Sequence, residues 1–403
     1  MTSTPGETMN STASLTETLA PLGRDALGEQ EFSQLVESIT GQPGARPTAV
    51  RVEPVDYLIG TPSTAELLRL LGTAALPNGD EVKWSCFIKK LQSVRHWPLI
   101  HLIPEPVRQD FIDNMPWQLE VAVHRSDIAG ILPDGLRLPT AYRIDEHEDD
   151  RAVLWMENVD QAPGCWPMER FERAAYLLGR LSARRQTHLV EPFRRGGYGE
   201  TAGIGLRYYT TGRVQLAALP GLADDQTWRH PMLASAVCNA GDHGLRDELL
   251  ELGARLPAVL DALDALPQTY QHGDASPQNL LVPKDNENEF VVIDWGFDCP
   301  QAVGFDLGQL LIGLAHAGEL SADALPAVHR TIVPAFMEGL AAEGMIVPEE
   351  QVRYGYLGSL LCRAAFTALP LELFGKNDAA TESLFYERVR LTRAIVDLVK
   401  EII

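Results

Sequence analysis

Four polar residues in the C-terminal half have the types and spacing that catalysis requires. His272, Asp274 and Asn279 fall in "HGDASPQN", and Asp294 follows the apolar run "FVVI" fifteen residues after the asparagine. A carboxylate in a short loop can orient a hydroxyl and accept its proton. Carboxylate and amide oxygens are also the ligands that a hard cation such as Mg²⁺ takes. The stretch therefore predicts a loop that activates a hydroxyl beside a metal ion.

This spacing is suited to the transfer of a phosphoryl group from a nucleotide. That reaction needs held phosphates, a metal ion and a carboxylate that faces the attacking hydroxyl. His272, Asp274 and Asn279 match H-x-D-x-x-x-x-N, the spacing of a kinase catalytic loop. Asp294-Trp295-Gly296 matches the Asp-Phe-Gly position that binds metal. The loop motif alone is a weak signal, but the apolar strand that follows it and ends in Asp-Trp-Gly makes the combination strong.

A lysine and a glutamate upstream complete the set that a kinase needs. A strand lysine must contact the phosphates, and a helix glutamate must orient that lysine. "KWSCFIKKLQ" offers Lys89 and Lys90 on opposite faces of one strand, and Glu120 lies in the helical pattern that follows. The order of lysine, glutamate, loop and Asp-Trp-Gly predicts that one of the two lysines pairs with Glu120.

The elements that must position these residues indicate an α+β fold in two lobes. Short strands joined by turn signals, followed by one main helix, predict a small antiparallel sheet lobe over residues 49–155. Apolar residues at helical spacing then predict a large, mainly helical lobe over residues 156–403, with a hinge near residues 155–159. Residues 1–48 are rich in Ser, Thr, Gly and Pro and read as a partly disordered extension, with a short helix around Phe32 to Ile39.

The overall charge and composition of the chain argue against some classes of binding partner. A formal charge of −21 argues against duplex nucleic acid and anionic membranes as partners. The sequence has no apolar run of membrane-spanning length and no secretory signal pattern at its start. Five scattered cysteines favour buried thiols in a reducing compartment. We therefore expect a cytoplasmic protein, and the sequence leaves open whether it is a monomer or a homodimer.

In these motifs the chain resembles the aminoglycoside phosphotransferase and choline kinase-like family, whose members are small-molecule relatives of protein kinases. The matching stretches are "WSCFIKKL", "WQLEVAVHRS", "VLWMENV", "HGDASPQNLLV", "VVIDWGF" and "VGFDLGQLL". The resemblance implies a bilobal protein-kinase-like fold, with ATP or GTP bound between the lobes and Mg²⁺ as cofactor. It implies Asp274 as the catalytic aspartate and Asn279 and Asp294 as metal ligands, and it selects Lys89 over Lys90.

The resemblance also implies roles for residues outside the main motifs. The backbone around Glu157, Asn158 and Val159 would hold the adenine. His272 and Asp306, the latter in "GFDLG", would brace the catalytic loop. A G-x-G-x-x-G phosphate loop does not precede the lysine, and "LIGTPSTAEL" is the candidate in its place. That segment contributes the predicted nucleotide contacts Gly60, Thr61 and Ser63.

Two departures from protein kinases point to a small-molecule acceptor. Ser276 stands where Ser/Thr protein kinases carry a lysine, and only eleven residues separate Asp294 from Asp306, too few for an activation segment. The acceptor is then a hydroxyl of a small molecule. An acidic pocket would favour an aminoglycoside or another antibiotic, because carboxylates would hold its positive charge. The candidates for that contact are Asp298, Glu372 and Asp378. A metabolite kinase for choline, homoserine or a sugar is the alternative, and a catalytically silent pseudokinase is a further one.

Overall fold

The structure, a computed structural model, describes residues 15–57, 59–187, 204–376 and 378–403. The described residues form two compact units. Unit 1 takes in the described residues of Met1–Val121 together with Pro139–Val159, and unit 2 takes in Ala122–Leu138 together with the described residues of Asp160–Ile403. The start of the predicted N-terminal extension, residues 1–14, lies outside the described residues.

The helices and strands alternate irregularly along the chain. The strands are β1 (Arg46–Pro54), β2 (Thr64–Ala75), β3 (Glu81–Gln92), β4 (Leu136–Arg137), β5 (Ala141–His147), β6 (Arg151–Glu157), β7 (Gln268–Gln271), β8 (Leu280–Leu281), β9 (Phe290–Val292) and β10 (Cys299–Ala302). The helices are α1 (Leu15–Leu19), α2 (Glu29–Thr40), α3 (Glu105–Asn114), α4 (Leu119–Arg125), α5 (Met168–Thr187), α6 (Ile204–Tyr209), α7 (Leu219–Ala223), α8 (Asp225–Arg229), α9 (Pro231–Ala240), α10 (Leu245–Asp264), α11 (Leu307–Ala317), α12 (Leu325–Ala342), α13 (Glu349–Leu360) and α14 (Ala379–Val399).

Unit 1 is built on one antiparallel sheet in the order β1-β2-β3-β6-β5. Because side chains alternate along a strand, β3 presents two different faces. Trp84 and Ile88 join a core on one face, and Leu91 joins a second core on the other face with Val121 of α4. This antiparallel sheet and the mainly helical unit 2 confirm the predicted α+β class.

Helix α2 covers the first face of this sheet. Its Phe32, Leu35 and Val36 follow helical spacing and are buried in the same core as Trp84. The ring of Phe32 meets that of Trp84 edge-on, with 5.8 Å between centroids. The short helix expected around Phe32 to Ile39 is therefore present, and it is longer than predicted. The described part of the extension, residues 15–48, is folded into unit 1 rather than disordered.

Replacing Phe32 by alanine should destabilise unit 1 strongly. The side chain is fully buried, so its removal leaves a cavity beside Trp84. Such Phe-to-Ala changes cost about 3–5 kcal/mol. Calorimetric melting would measure the loss, with Tyr57→Ala as a control because Tyr57 is 68% exposed. Equal melting temperatures for the two variants would show that α2 does not stabilise the sheet.

Helix α4 is shorter than the pattern "MPWQLEVAVHRSDIAGIL" predicts. It ends at Arg125, and a separate turn of 3₁₀-helix spans Ile128–Gly130. Ser126 explains the break, because its hydroxyl donates to the Val123 carbonyl at 2.7 Å and accepts from the Ile128 amide at 3.3 Å. Serine side chains that bond to nearby backbone in this way compete with the continuing helix.

Unit 2 consists mainly of helices with two small sheets. β10 pairs with β7, and the second sheet has the order β4-β9-β8. Helices α5 and α12 cross in close contact at two glycines. A Cβ on Gly179 would lie 2.1 Å from the Phe336 carbonyl oxygen, and one on Gly339 would lie 2.0 Å from that of Tyr176. Only glycine permits this approach of the two backbones, which fixes α5 in the core of unit 2.

The buried histidine of α12 makes the stability of unit 2 sensitive to acid. Nδ1 of His329 lies 3.3 Å from the Tyr356 hydroxyl, and Nε2 lies 3.7 Å from a Glu401 carboxylate oxygen. Burial lowers the pKa of His329, an effect that Glu401 opposes. The unfolded chain therefore takes up a proton near about pH 6.5 that the folded protein does not, so stability should fall as the pH drops below that value.

Melting temperatures at about pH 7.5 and about pH 5.5 check this expectation. The decrease on acidification should be smaller in His329→Gln than in the wild type, because glutamine does not titrate. His101→Gln, at an exposed site of unit 1, serves as the control and should behave as the wild type. An unchanged pH dependence in His329→Gln would contradict the expectation.

The sequence favours buried thiols, and three of the five cysteines fit that expectation. Cys86, Cys299 and Cys362 are buried free thiols, whereas Cys165 and Cys238 are exposed.

Among the helices of the described ranges, none combines the length and the apolar character needed to cross a membrane.

Candidate active site

In unit 1, Lys89 forms the ion pair that the motif order predicts. Its Nζ lies 2.6 Å from Oε2 of Glu120, and both side chains are buried. Lys90 points to the opposite face of β3, where its Nζ lies 3.2 Å from Asp25 and 2.9 Å from Glu66. The geometry thus distinguishes the two lysines: Lys89 pairs with the helix glutamate, and Lys90 fastens the N-terminal segment to the sheet.

The other predicted nucleotide contacts of unit 1 lie at the ends of strands. Thr61 and Ser63 precede β2, and their hydroxyl oxygens are 2.8 Å apart. Around Gly60 there is open space where a Cβ would stand. Glu157 ends β6, and its carboxylate accepts from the Thr140 amide at 3.1 Å. Asn158 and Val159 follow it as the last residues of unit 1. Their contact with a nucleotide stays a prediction.

In unit 2, Asp306 fixes the backbone of the catalytic loop. One oxygen of its buried carboxylate accepts from the His272 amide at 2.9 Å, and the other accepts from the Gly273 amide at 2.8 Å. Burial raises the pKa of Asp306, while His272 and the two amide donors oppose that effect. The His272 ring links the loop to the neighbouring strand, since its Nε2 lies 2.9 Å from the Ile293 carbonyl oxygen. Both residues therefore bond to backbone of the loop or of the adjoining strand, and their bracing role in catalysis stays a prediction.

Gly273 allows the loop to turn sharply before Asp274. Its φ is +86°, in the region that favours glycine. A Cβ at this position would lie 2.1 Å from the Phe297 carbonyl oxygen. The glycine between His272 and Asp274 is therefore required both by the backbone conformation and by the space available.

Asp274 and Asn279 are in direct contact. The side-chain amide of Asn279 donates to the Asp274 carbonyl at 2.8 Å and to its carboxylate oxygen Oδ2 at 3.0 Å. Because the nitrogen of the amide faces Asp274, its oxygen faces away and is the atom that could bind a cation. The contact holds the aspartate side chain in one orientation.

Asp294 directly follows the residue that pairs with Asn279 through the backbone. β8 pairs with β9, and the Ile293 amide continues the pairing by donating to the Asn279 carbonyl at 3.0 Å. Asp294 itself has a φ of +62°, one of two non-glycine residues with positive φ in the described part of the chain. Such backbone is uncommon outside glycine, asparagine and aspartate, and it is enriched at active sites.

The donor set fits a hard cation. Asp274, Asn279 and Asp294 are partly exposed, whereas His272, Ala275 and Trp295 around them are buried. The described residues hold no group of three or more His, Cys, Asp or Glu side chains that could bind a metal by themselves. A carboxylate and an amide oxygen agree with the way Mg²⁺ is held in nucleotide sites, where phosphates and water complete its octahedron.

An arginine that the motifs did not indicate, Arg363, also contacts Asp274. Nη2 of Arg363 lies 2.9 Å from Oδ1 of Asp274, and Nη1 donates to the Gly273 carbonyl. The two oxygens of Asp274 are thus bound by different residues, one by Arg363 and one by Asn279. Arg363 lies 89 residues beyond Asp274, outside every matched motif, so no spacing signal could have identified it.

The three carboxylates predicted to hold a cationic substrate have different surroundings. Asp298 is buried, and both its oxygens accept from Arg185 at 2.8 Å. Asp378 begins α14 and accepts from the Thr381 amide at 2.8 Å, a helix-capping contact. Glu372 is exposed. The geometry therefore corrects the reading of Asp298, since it gives that residue a structural role as the buried partner of Arg185.

Solved structures similar to this chain include three small-molecule kinases. The chain is similar to an ethanolamine kinase from Plasmodium vivax, at 11% identity over 93% of this chain and 90% of that one, with a TM-score of 0.48. It is similar to an amicoumacin kinase in complex with AMP-PNP, Ca²⁺ and Ami, at 14% identity over 86% and 88%, with a TM-score of 0.47. It is also similar to a choline kinase from Streptococcus pneumoniae, at 13% identity over 92% of this chain and 99% of that one, with a TM-score of 0.41.

The sequence comparisons gave one family. No curated protein sequence matched the chain. The model of the phosphotransferase enzyme family matches residues 169–340. That stretch lies in unit 2 and includes Asp274, Asn279 and Asp294, whereas Lys89 lies before it and Arg363 after it. Over these residues the chain is similar to the phosphotransferase enzyme family, and this match confirms the resemblance found in its motifs.

Proposed function

We propose that this chain transfers the terminal phosphoryl group of ATP or GTP to a hydroxyl of a small molecule. The contact between Asp274 and Asn279, with Asp294 on the adjoining strand, supports this proposal most strongly. Phosphoryl transfer relies on positioning and charge stabilisation. A partly exposed carboxylate held beside two possible metal ligands offers both.

Each residue has a separate task in this proposal. Asp274 orients the acceptor hydroxyl and accepts its proton late, because the transition state is loose. Asn279 and Asp294 would hold Mg²⁺, which when bound neutralises charge on the phosphate oxygens. In unit 1, Lys89 would contact the donor's phosphates, and Glu120 keeps its ammonium group in place.

Loop and hinge residues of unit 1 complete the proposed donor site. Gly60, Thr61 and Ser63 would contribute to phosphate binding. The backbone of Glu157, Asn158 and Val159 would bind the base. These assignments rest on the resemblance to the aminoglycoside phosphotransferase and choline kinase-like family, and release of ADP or of GDP distinguishes ATP from GTP as the donor.

For the acceptor we propose an aminoglycoside or another antibiotic, phosphorylated for resistance or self-protection. The acidic composition supports a cationic substrate. The pairing of Asp298 with Arg185 weakens that case, because a buried and saturated carboxylate cannot meet a ligand. A metabolite such as choline, homoserine or a sugar is therefore the alternative, and the same experiment must include it.

Release of ADP or GDP by the purified protein with Mg²⁺ tests the proposal. The acceptor panel should hold aminoglycosides, nucleoside and peptide antibiotics, choline, homoserine and hexoses. Turnover that is abolished in Asp274→Ala would establish the reaction and name the acceptor class. Nucleotide binding with no turnover across the panel would favour a pseudokinase, and absence of nucleotide binding would refute a kinase altogether.

A further inference from the structure

We infer that Arg363 is a positioning residue for the catalytic aspartate, an inference that rests on the proposed function. Ser276 occupies the place where Ser/Thr protein kinases carry a lysine near that aspartate. In this chain the guanidinium of Arg363 binds Oδ1 of Asp274 at 2.9 Å and supplies a cation from a distant segment. Arg363 thereby leaves the aspartate one orientation and neutralises part of its charge.

The backbone that carries Arg363 is specialised. Residues Leu361–Ala365 form a π-helical turn directly after α13. Such turns leave carbonyl groups without their usual helical partners and occur often at functional sites. Two threonine hydroxyls bond to this turn: Thr210 donates to the Cys362 carbonyl at 3.2 Å, and Thr367 donates to that of Arg363 at 2.9 Å. The turn that presents the guanidinium to Asp274 is thus held from both sides.

Aromatic rings enclose the guanidinium and limit its movement. The Arg363 Cζ atom lies 5.4 Å from the ring centroid of Phe297 and 5.9 Å from those of Tyr209 and Phe305. These distances suit cation–π contact. The side chain is 15% exposed, and it also bonds to the Gly273 carbonyl. Because these contacts restrict the conformation of the Arg363 side chain, the guanidinium can hold the Asp274 carboxylate in one orientation.

Turnover separates this positioning role from a general structural one. Arg363→Ala should lower kcat on the order of 100-fold, since a small misplacement of a catalytic group costs about that much. The KM for the nucleotide should stay within about twofold, because Lys89 and the metal ligands are untouched. Arg363→Lys should lose less, since it keeps the charge but not the planar pair of donors. Free guanidinium ions in the millimolar range should restore part of the activity of Arg363→Ala.

Arg255→Ala is the matched control, because Arg255 is an exposed helical arginine of the same unit that pairs with Glu251. It should keep wild-type kcat and show no response to guanidinium. A kcat for Arg363→Ala within twofold of this control would overturn the inference. A parallel loss of kcat and nucleotide affinity without rescue would also overturn it, because that pattern indicates general misfolding.

A second measurement tests the ion pair without any turnover. Melting temperatures of Asp274→Asn, Arg363→Met and the double variant form a double-mutant cycle. The double variant should lose less than the sum of the two single losses. Strictly additive losses would overturn the inference even if the wild type proves inactive. Absence of wild-type turnover and nucleotide binding would instead refute the proposed function, so the two failures can be told apart.

Discussion

Asp274→Ala is expected to abolish most of the turnover while nucleotide binding stays close to that of the wild type. A positioned general base contributes about 10²–10⁴-fold to rate, and loss of kcat should fall in that range. Asp274 contacts Arg363 and Asn279, and it is not one of the residues proposed to bind the nucleotide, so the affinity for ATP or GTP should change by about twofold at most. Nucleotide release and calorimetric titration measure the two quantities on the same preparation.

Two further variants sharpen this prediction. Asp274→Asn keeps the size of the side chain and should lose almost as much activity, because an amide is a poor proton acceptor. Asp261→Asn is the control: Asp261 is exposed on α10 and pairs with Arg207 at 2.7 Å. It should retain wild-type kcat. If Asp274→Ala keeps most of its rate, the assignment of the catalytic residue is wrong.

The sequence predicted the local parts of the site well. His272, Asp274 and Asn279 lie within eight residues of one another, so their spacing encodes one loop. Asp294 could be predicted because it follows an apolar strand, and that strand pairs with β8, which begins directly after Asn279. The pairing of a strand lysine with Glu120 was also predicted, from the order of the motifs. Alternation along the strand left Lys89 and Lys90 as candidates, and the family resemblance selected Lys89.

Contacts between distant segments could not be predicted in this way. Arg363 and Asp274 are brought together by the packing of helices, and neither periodicity nor a motif reports that packing. The pairing of Asp298 with Arg185 was missed for the same reason, so a buried ion-pair partner was predicted to contact a cationic substrate. The helix around Phe32 was predicted, but its packing partner could not be, because Trp84 lies in a strand far along the chain.

Asp294→Asn is expected to remove the dependence of nucleotide binding on Mg²⁺. Asparagine tolerates the positive φ of this position almost as well as aspartate does, so the strand and its pairing should persist. The change removes one negative charge from the donor set, and Mg²⁺ prefers carboxylate ligands. Loss of charge stabilisation in the transition state should lower kcat on the order of 10²–10³-fold, comparable to removal of one preorganised donor.

A comparison with Asp150 separates charge from backbone conformation. Asp150 is the other non-glycine residue with positive φ among the described residues, and its carboxylate lies 2.6 Å from Arg95 in unit 1. Asp150→Asn makes the same chemical change on the same kind of backbone, at a residue that is not a proposed metal ligand. It should leave the Mg²⁺ titration of nucleotide affinity unchanged, whereas Asp294→Asn should flatten it. Superimposable titrations for Asp294→Asn and the wild type would remove Asp294 from the metal site and leave Asn279 without its proposed partner.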